Sequence, residues 1–256
     1  MNKLIRLSQT GIEYGDYAWN FASGCGNNSD GKCNSGGFKC WAYPITQRFA
    51  GHYPNGFRPT IYPEALLSPL YLKKPSRILC AFMGDLFWDC PEFDPDRKNI
   101  LRGFTEGGSS WEDISLKRIL YYVIESCPQH TFIFLTKQPQ NLAKFQFPDN
   151  CYVGVTATTF GALTGSLYYS LPYLADIQAK VKYISFEPLL ESVSGESLGI
   201  AMQVVDWLII GAQTKPYRPP RIEWVSEIVE AADKAGIPVF LKDNLRMAGD
   251  VSMQVG

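Results

Sequence analysis

Three cysteines fall within sixteen positions of the stretch SGCGNNSDGKCNSGGFKCWAY, residues 23–43: Cys25, Cys33 and Cys40, spaced C-x7-C-x6-C. Around them stand mostly glycine, asparagine, serine and lysine, a loop composition that packs poorly and reads as flexible. A free cysteine ordinarily behaves as a small buried hydrophobe. Cys80 and Cys151, in apolar runs, and Cys127, closing an amphipathic stretch, fit that description. The other three do not, and clustered thiols suggest metal chemistry. A structural zinc site takes four protein ligands, commonly in pairs two to four residues apart. Neither gap here matches, and the fourth ligand would be His52, giving Cys3His, or Cys90 from across the fold. An iron–sulfur cluster held by three thiolates instead leaves one iron open to a substrate or cofactor. A loop rich in glycine and asparagine suits it, because the backbone wraps the cluster and directs N–H groups at its sulfurs. With His52 and His130 as the only histidines, a histidine-rich catalytic metal site is excluded. His130, in PQHTFIFL, reads as a hydrogen-bonded structural residue on the far face.

Polar residues also gather where short apolar runs end. RILCAFM (77–83) leads into Gly84 and Asp85, and TFIFL (131–135) into Thr136 and Lys137. CYVGV (151–155) leads into Thr156 with Thr158 close behind, and KYISF (182–186) into Glu187 and Pro188. DWLII (206–210) precedes Gly211 and Gln213, and IPVFL (237–241) precedes Lys242 and Asp243. Runs this short and unalternating fit parallel strands buried on both faces. An earlier strand in YAWNFA (17–22) brings the count to about seven βα units.

The helices expected between them are WEDISLKRILYYVIESC (111–127), FGALTGSLYYSLPYLADIQAK (160–180) and RIEWVSEIVEAADKAG (221–236). Pro172 should break or kink the second, and Gly236 should cap the third. A partial or open (β/α) barrel and a doubly wound sheet both satisfy this pattern. In either, ligands sit outside the carboxyl ends of the strands, so the residues after each run converge on one mouth beside the cysteine loop. Asp85 reads equally as a helix N-cap ahead of LFWD, and Glu187 is held extended by the proline after it.

The chain has 256 residues, 46% of them hydrophobic, enough for one large domain spanning 1–256. The proline-rich stretch 51–76 reads as an insertion with a short helix around 63–70, and 103–110 reads as a loop. A formal charge of −1 gives no global basic field for nucleic acid. TKPYRPPR (214–221) is the best local basic segment. No apolar run approaches the ~20 residues needed to span a bilayer, and the N-terminal segment has no signal-peptide core. A cytoplasmic location is therefore expected, where an odd seven cysteines argue against a disulfide scaffold.

GIEYGDYAWNFASGC, the terminal CWAY, TIYPEALLSPLYLKKPSRILCAFMGDLF, CPQHTFIFLTKQPQNL, YVGVTATT, ISFEPLLESV, VDWLIIGAQT and IPVFLKDN follow one another in order along most of the chain. Together they resemble a phage-associated family of three-cysteine proteins that is radical S-adenosylmethionine-like. The resemblance implies a partial, TIM-like (β/α) barrel with the cluster loop after the first strand. It also implies a 4Fe–4S cluster on Cys25, Cys33 and Cys40, with S-adenosylmethionine (SAM) on the fourth iron. The activity implied is reductive SAM cleavage and hydrogen abstraction from a substrate, with an electron donor of flavodoxin or ferredoxin type. The usual superfamily spacing is C-x3-C-x2-C, and both gaps here are longer. Gly84 and Asp85 would meet the SAM amino group, Thr136 and Lys137 its carboxylate, and Thr156 and Thr158 its ribose. Glu187 would project into the mouth, and Gln213 and Lys242 are further candidates for substrate contact. A nucleic-acid base or nucleotide is a conceivable substrate. The other outcome of the residue reading is a non-enzymatic Cys3His zinc module that recognises nucleic acid or a protein partner.

Overall fold

A computed structural model describes residues 7–101, 113–159 and 166–245. Its centre is an eight-stranded sheet whose spatial order follows the chain. The strands are β1 (Ser8–Gln9), β2 (Tyr17–Trp19), β3 (Arg77–Cys80), β4 (Thr131–Thr136), β5 (Cys151–Thr156), β6 (Val181–Phe186), β7 (Trp207–Ile210) and β8 (Val239–Leu241). Strand β1 pairs antiparallel with β2, and every later neighbour is parallel. The protein is thus mixed α/β with a large, mostly parallel sheet.

Both faces of that sheet are covered, which is why the runs do not alternate in polarity. Ile78, Phe132, Phe134, Val153, Ile184 and Leu208 point into the main core with the helices. Leu79, Ile133, Tyr183 and Ile209, their neighbours in sequence, form a second cluster around Tyr14. The Tyr14 ring meets those of Phe82, Trp207 and Phe240 at centroid distances of 6.5, 5.9 and 5.8 Å. One side chain from the β1–β2 connection therefore joins residues at the ends of the sheet.

The helices are α1 (Ala42–Arg48), α2 (Pro63–Leu66), α3 (Leu116–Glu125), α4 (Leu167–Asp176), α5 (Gly195–Ala201) and α6 (Ile222–Ala235). Helix α6 stops at Gly236, in the left-handed region at φ 69°, as a C-cap glycine should. Helix α4 runs through Pro172 instead of breaking there. It is only ten residues long, buries Leu167, Leu171 and Leu174, and starts from a Ser166 side chain that accepts from Tyr169 N. Apolar burial outweighs one forgone backbone bond. Between β4 and β5 the crossover is a 3₁₀ helix, Pro139–Lys144.

The 51–76 insertion supplies Thr60–Ile61, which pairs with Ala22–Ser23 just after β2, and then α2 and a 3₁₀ turn, Ser68–Tyr71. The expected loop 103–110 and the first residues of the helices expected from 111 and 160 lie outside the described residues. Among the described residues no helix is long and apolar enough to cross a membrane.

Candidate functional site

The carboxyl ends of the parallel strands open into a cavity of about 350 Å³. Its lining includes Cys25, Cys33, Cys40, Gly84, Asp85, Thr136, Lys137, Thr156, Glu187, Gln213 and Lys242. The convergence expected of a parallel sheet is therefore met for all of these residues. A larger hollow of about 660 Å³ lies elsewhere, lined by Cys90 and by Lys117 and Lys144. Those lysines are paired with Asp96 at 2.7 Å and Asp89 at 2.9 Å, and none of the strand-end candidates reaches that hollow.

The cysteine loop is folded, against the expectation of a flexible segment. Asn28–Ser29 pairs with Lys32–Cys33 as a small hairpin, and Lys39 bridges back to Lys32. Cys33 N donates to Phe38 O and Cys40 N to Gly31 O, both at 2.8 Å. Cys33 is buried, and Cys25 and Cys40 are half-buried. Asn27 serves two of the sulfurs: its N–H donates to Cys25 Sγ at 3.3 Å, and its Nδ2 lies 3.9 Å from Cys33 Sγ. Burial, then the nearby Asp85 charge, pushes the Cys25 thiol up to about 12. Cys40 rests against the main core.

The loop is tied to the sheet at two points. The first is backbone: Gly24 and Gly84 form a parallel bridge, and Asp85 N donates to Gly24 O at 3.1 Å. A Cβ on Gly84 would lie 2.2 Å from Gly24 O, so glycine is needed there for the loop to dock. The second is Thr158, which donates to the Ser35 carbonyl. Thr158 is fully buried and is not among the residues lining the cavity, so in this structure its side chain anchors the loop.

Asp85 is buried beneath this junction. Its carboxylate accepts from Thr136 Oγ1 at 2.7 Å, Lys137 N at 2.9 Å and Phe87 N at 3.1 Å. Burial pushes its pKa up, against hydrogen bonds that favour the ionised form. No helix starts at Asp85, so the expected N-cap is not formed; its bond from Phe87 N closes a turn instead, and the same carboxylate joins the ends of β3 and β4.

The opposite wall is an ion-paired cluster. Lys242 Nζ lies 2.6 Å from Glu187 Oε1, with both side chains about four-fifths buried. Glu187 Oε2 accepts from Tyr14 OH at 3.2 Å and Ser185 Oγ at 3.0 Å. Burial first, then the Glu187 charge, raises the Tyr14 pKa well above its usual value. Asn244 grips the Ala212 backbone from both sides, at 3.0 Å each. Tyr14, Asn27 and Ser35 escape a reading confined to strand ends, because each comes from a connection and carries no spacing signal; Asn244 lies in the 3₁₀ turn Asp243–Leu245 just after β8.

Among the described residues, no group of three or more Cys, His, Asp or Glu is arranged to hold a metal ion. The three thiols share one cavity wall without converging on a common point. As donors they fit a three-thiolate cluster in kind: soft sulfur ligands, one N–H directed at a sulfur, and no histidine among them. The Cys3His alternative fares worse. His52 lines a separate small cavity with Asn20 and Tyr62, and Cys90 lines the larger hollow. His130 is buried, with Nε2 2.8 Å from Leu72 O, a structural role as expected.

Residues 9–95 and 111–252 match one protein family, described as a protein of unknown function, DUF5131. The chain belongs to this family. The match spans both the cysteine loop and the Glu187–Lys242 wall, so both walls of the cavity lie within the DUF5131 regions. No curated protein and no solved structure gives a match.

Proposed function

We propose that the chain is a radical SAM-type enzyme built on a partial (β/α) barrel, as its resemblance to the phage-associated three-cysteine proteins implies. The observation that carries the reading is one cavity at the strand carboxyl ends that gathers three thiols and brings no fourth protein ligand from His52 or Cys90. Sequential strand order, with Tyr14 bridging Phe82 and Phe240, supports the barrel.

Cys25, Cys33 and Cys40 would hold a 4Fe–4S cluster, which supplies the electron for reductive SAM cleavage and leaves one iron open for the cofactor. Cys25 must lose its thiol proton on binding, and Cys40 must move from its contact with the core. The chain's own groups would do the rest. Asn27 offers N–H groups to sulfur, Lys137 offers a cation to a carboxylate, and Thr156 a hydroxyl. The Asp85 carboxylate positions Thr136 and Lys137 more than it meets a ligand, since three protein donors already occupy it. Gly84 serves loop docking. The apolar lining from Phe82, Leu135 and Phe38 excludes water from the reacting centre.

The test is anaerobic reconstitution followed by iron and sulfide assay and reduction in the presence of SAM. About four irons per chain and release of 5′-deoxyadenosine are expected. Colourless protein that retains one zinc, and loses it on His52→Ala, would establish the zinc module instead.

A further inference from the structure

The cavity carries more positive charge than its own acids neutralise. Four lysines line it, Lys39, Lys137, Lys215 and Lys242, against the carboxylates of Asp85 and Glu187. Lys242 is paired with Glu187, and Asp85 is filled by neutral donors within the protein. Among the described residues, no salt bridge within 4 Å is found for Lys39, Lys137 or Lys215. This local excess stands in a chain whose formal charge is −1.

The same mouth exposes aromatic surface. Trp41 is 48% exposed, follows Cys40 directly, and lines the cavity together with Phe38 and Phe57. Across the opening, the hairpin Gln213–Thr214 with Tyr217–Arg218 brings Lys215 to the rim and holds Tyr217, 53% exposed, and Arg218 just beyond it. This hairpin is the start of the basic segment TKPYRPPR. Aromatic faces interleaved with cations on two rims of one groove suit alternating bases and phosphates. A molecule with one negative charge would leave most of the cations unmatched. Because aromatics and cations extend past the cavity, the arrangement fits a strand better than a lone nucleotide.

We propose that the substrate is a single-stranded nucleic acid. The strand crosses the mouth between the cysteine loop and the 213–218 hairpin, stacks a base on Trp41, and sets its phosphates against Lys39, Lys215 and Arg218. This deepens the enzymatic reading, resting on the assignment of that cavity as the reaction site, and its binding step needs no cluster.

The test is fluorescence anisotropy of the full chain with a labelled mixed-sequence single strand, in DNA and RNA forms that show which sugar is preferred. Binding tighter than about 100 µM is expected at 50 mM salt. Three phosphate contacts on a single strand predict about a 20-fold loss in affinity between 50 and 200 mM salt. Lys215→Gln removes one contact and should cut that loss to about 7-fold. Trp41→Ala should weaken binding about tenfold through lost stacking. Both residues are exposed, and unchanged circular dichroism spectra confirm that the variants fold. No binding, a duplex of the same sequence bound as tightly, nucleoside monophosphates competing equally per phosphate, or indifference to both substitutions would each overturn the proposal. Iron is assayed on the same samples. Strand binding by a chain that cannot take a cluster defeats the enzymatic reading alone, and a cluster-bearing chain that ignores the strand defeats this one alone.

Discussion

The two walls of the cavity are built in opposite ways. The Glu187–Lys242 wall stands on strand ends and is held by its own side chains, with an ion pair at 2.6 Å and two hydroxyl donors on one carboxylate oxygen. The cysteine wall stands on a loop held by backbone bonds and by two ties to the sheet, at Gly84 and Thr158. Its sulfurs have at most weak N–H contacts. One wall has most of its polar demand met inside the protein. The other presents donor atoms that a ligand would still have to organise. The difference locates where binding should reshape the molecule, at the thiols, and where it should not.

The sharpest break in that contrast is removal of a thiol. Cys33→Ala should abolish iron retention after reconstitution, while Cys151→Ala, in the core at the start of β5, should retain it; equal iron in both variants would remove the loop as a ligand. On the other wall, Glu187→Gln leaves Lys242 without its counter-charge. Because both groups are partly solvated, a loss of about 2 kcal/mol is expected, below the value for a fully buried pair. It would be read as a lower urea midpoint with iron binding intact.

Asp85 offers a pH test beneath the thiol wall. Its pKa is raised in the folded chain, so the native state binds the proton more tightly than the unfolded state. The resulting stability is present at low pH and is lost as pH rises through the raised value. The stability gap between wild type and Asp85→Asn should therefore widen as pH falls from neutrality towards the ordinary carboxylate range. A gap that narrows over that span would mean the hydrogen bonds prevail over burial. The smallest effect belongs to Thr158→Val. Losing the bond to Ser35 O should cost about 1 kcal/mol and speed amide exchange in the cysteine loop, without changing exchange around Lys242.

Much of this arrangement is legible in the amino-acid sequence. Short apolar runs with covered faces implied a parallel sheet, and parallel strands put their carboxyl ends on one side, so Thr136, Lys137, Thr156, Glu187 and Lys242 had to meet. Thr158 lies beyond the end of β5, where the loop decides which way a side chain turns, and it is buried against Ser35. Gly84 lines the cavity as expected, and it also lets the Gly24 backbone approach, a contact the sequence does not signal. Tyr14 gave no signal, since a tyrosine in a short connection says nothing of the space it fills.

Local periodicity and residue type were enough to specify a mixed α/β fold with a mostly parallel sheet, the structural place of His130, Cys80 and Cys151, and the separation of Cys25, Cys33 and Cys40 from the core cysteines. That His52 and Cys90 stand away from those thiols, that Asp85 is consumed in joining two strands, and that Lys242 faces Glu187 emerge from the folded chain alone. Those facts depend on contacts between residues distant in the chain, and such contacts are set by how a whole sheet and its loops pack.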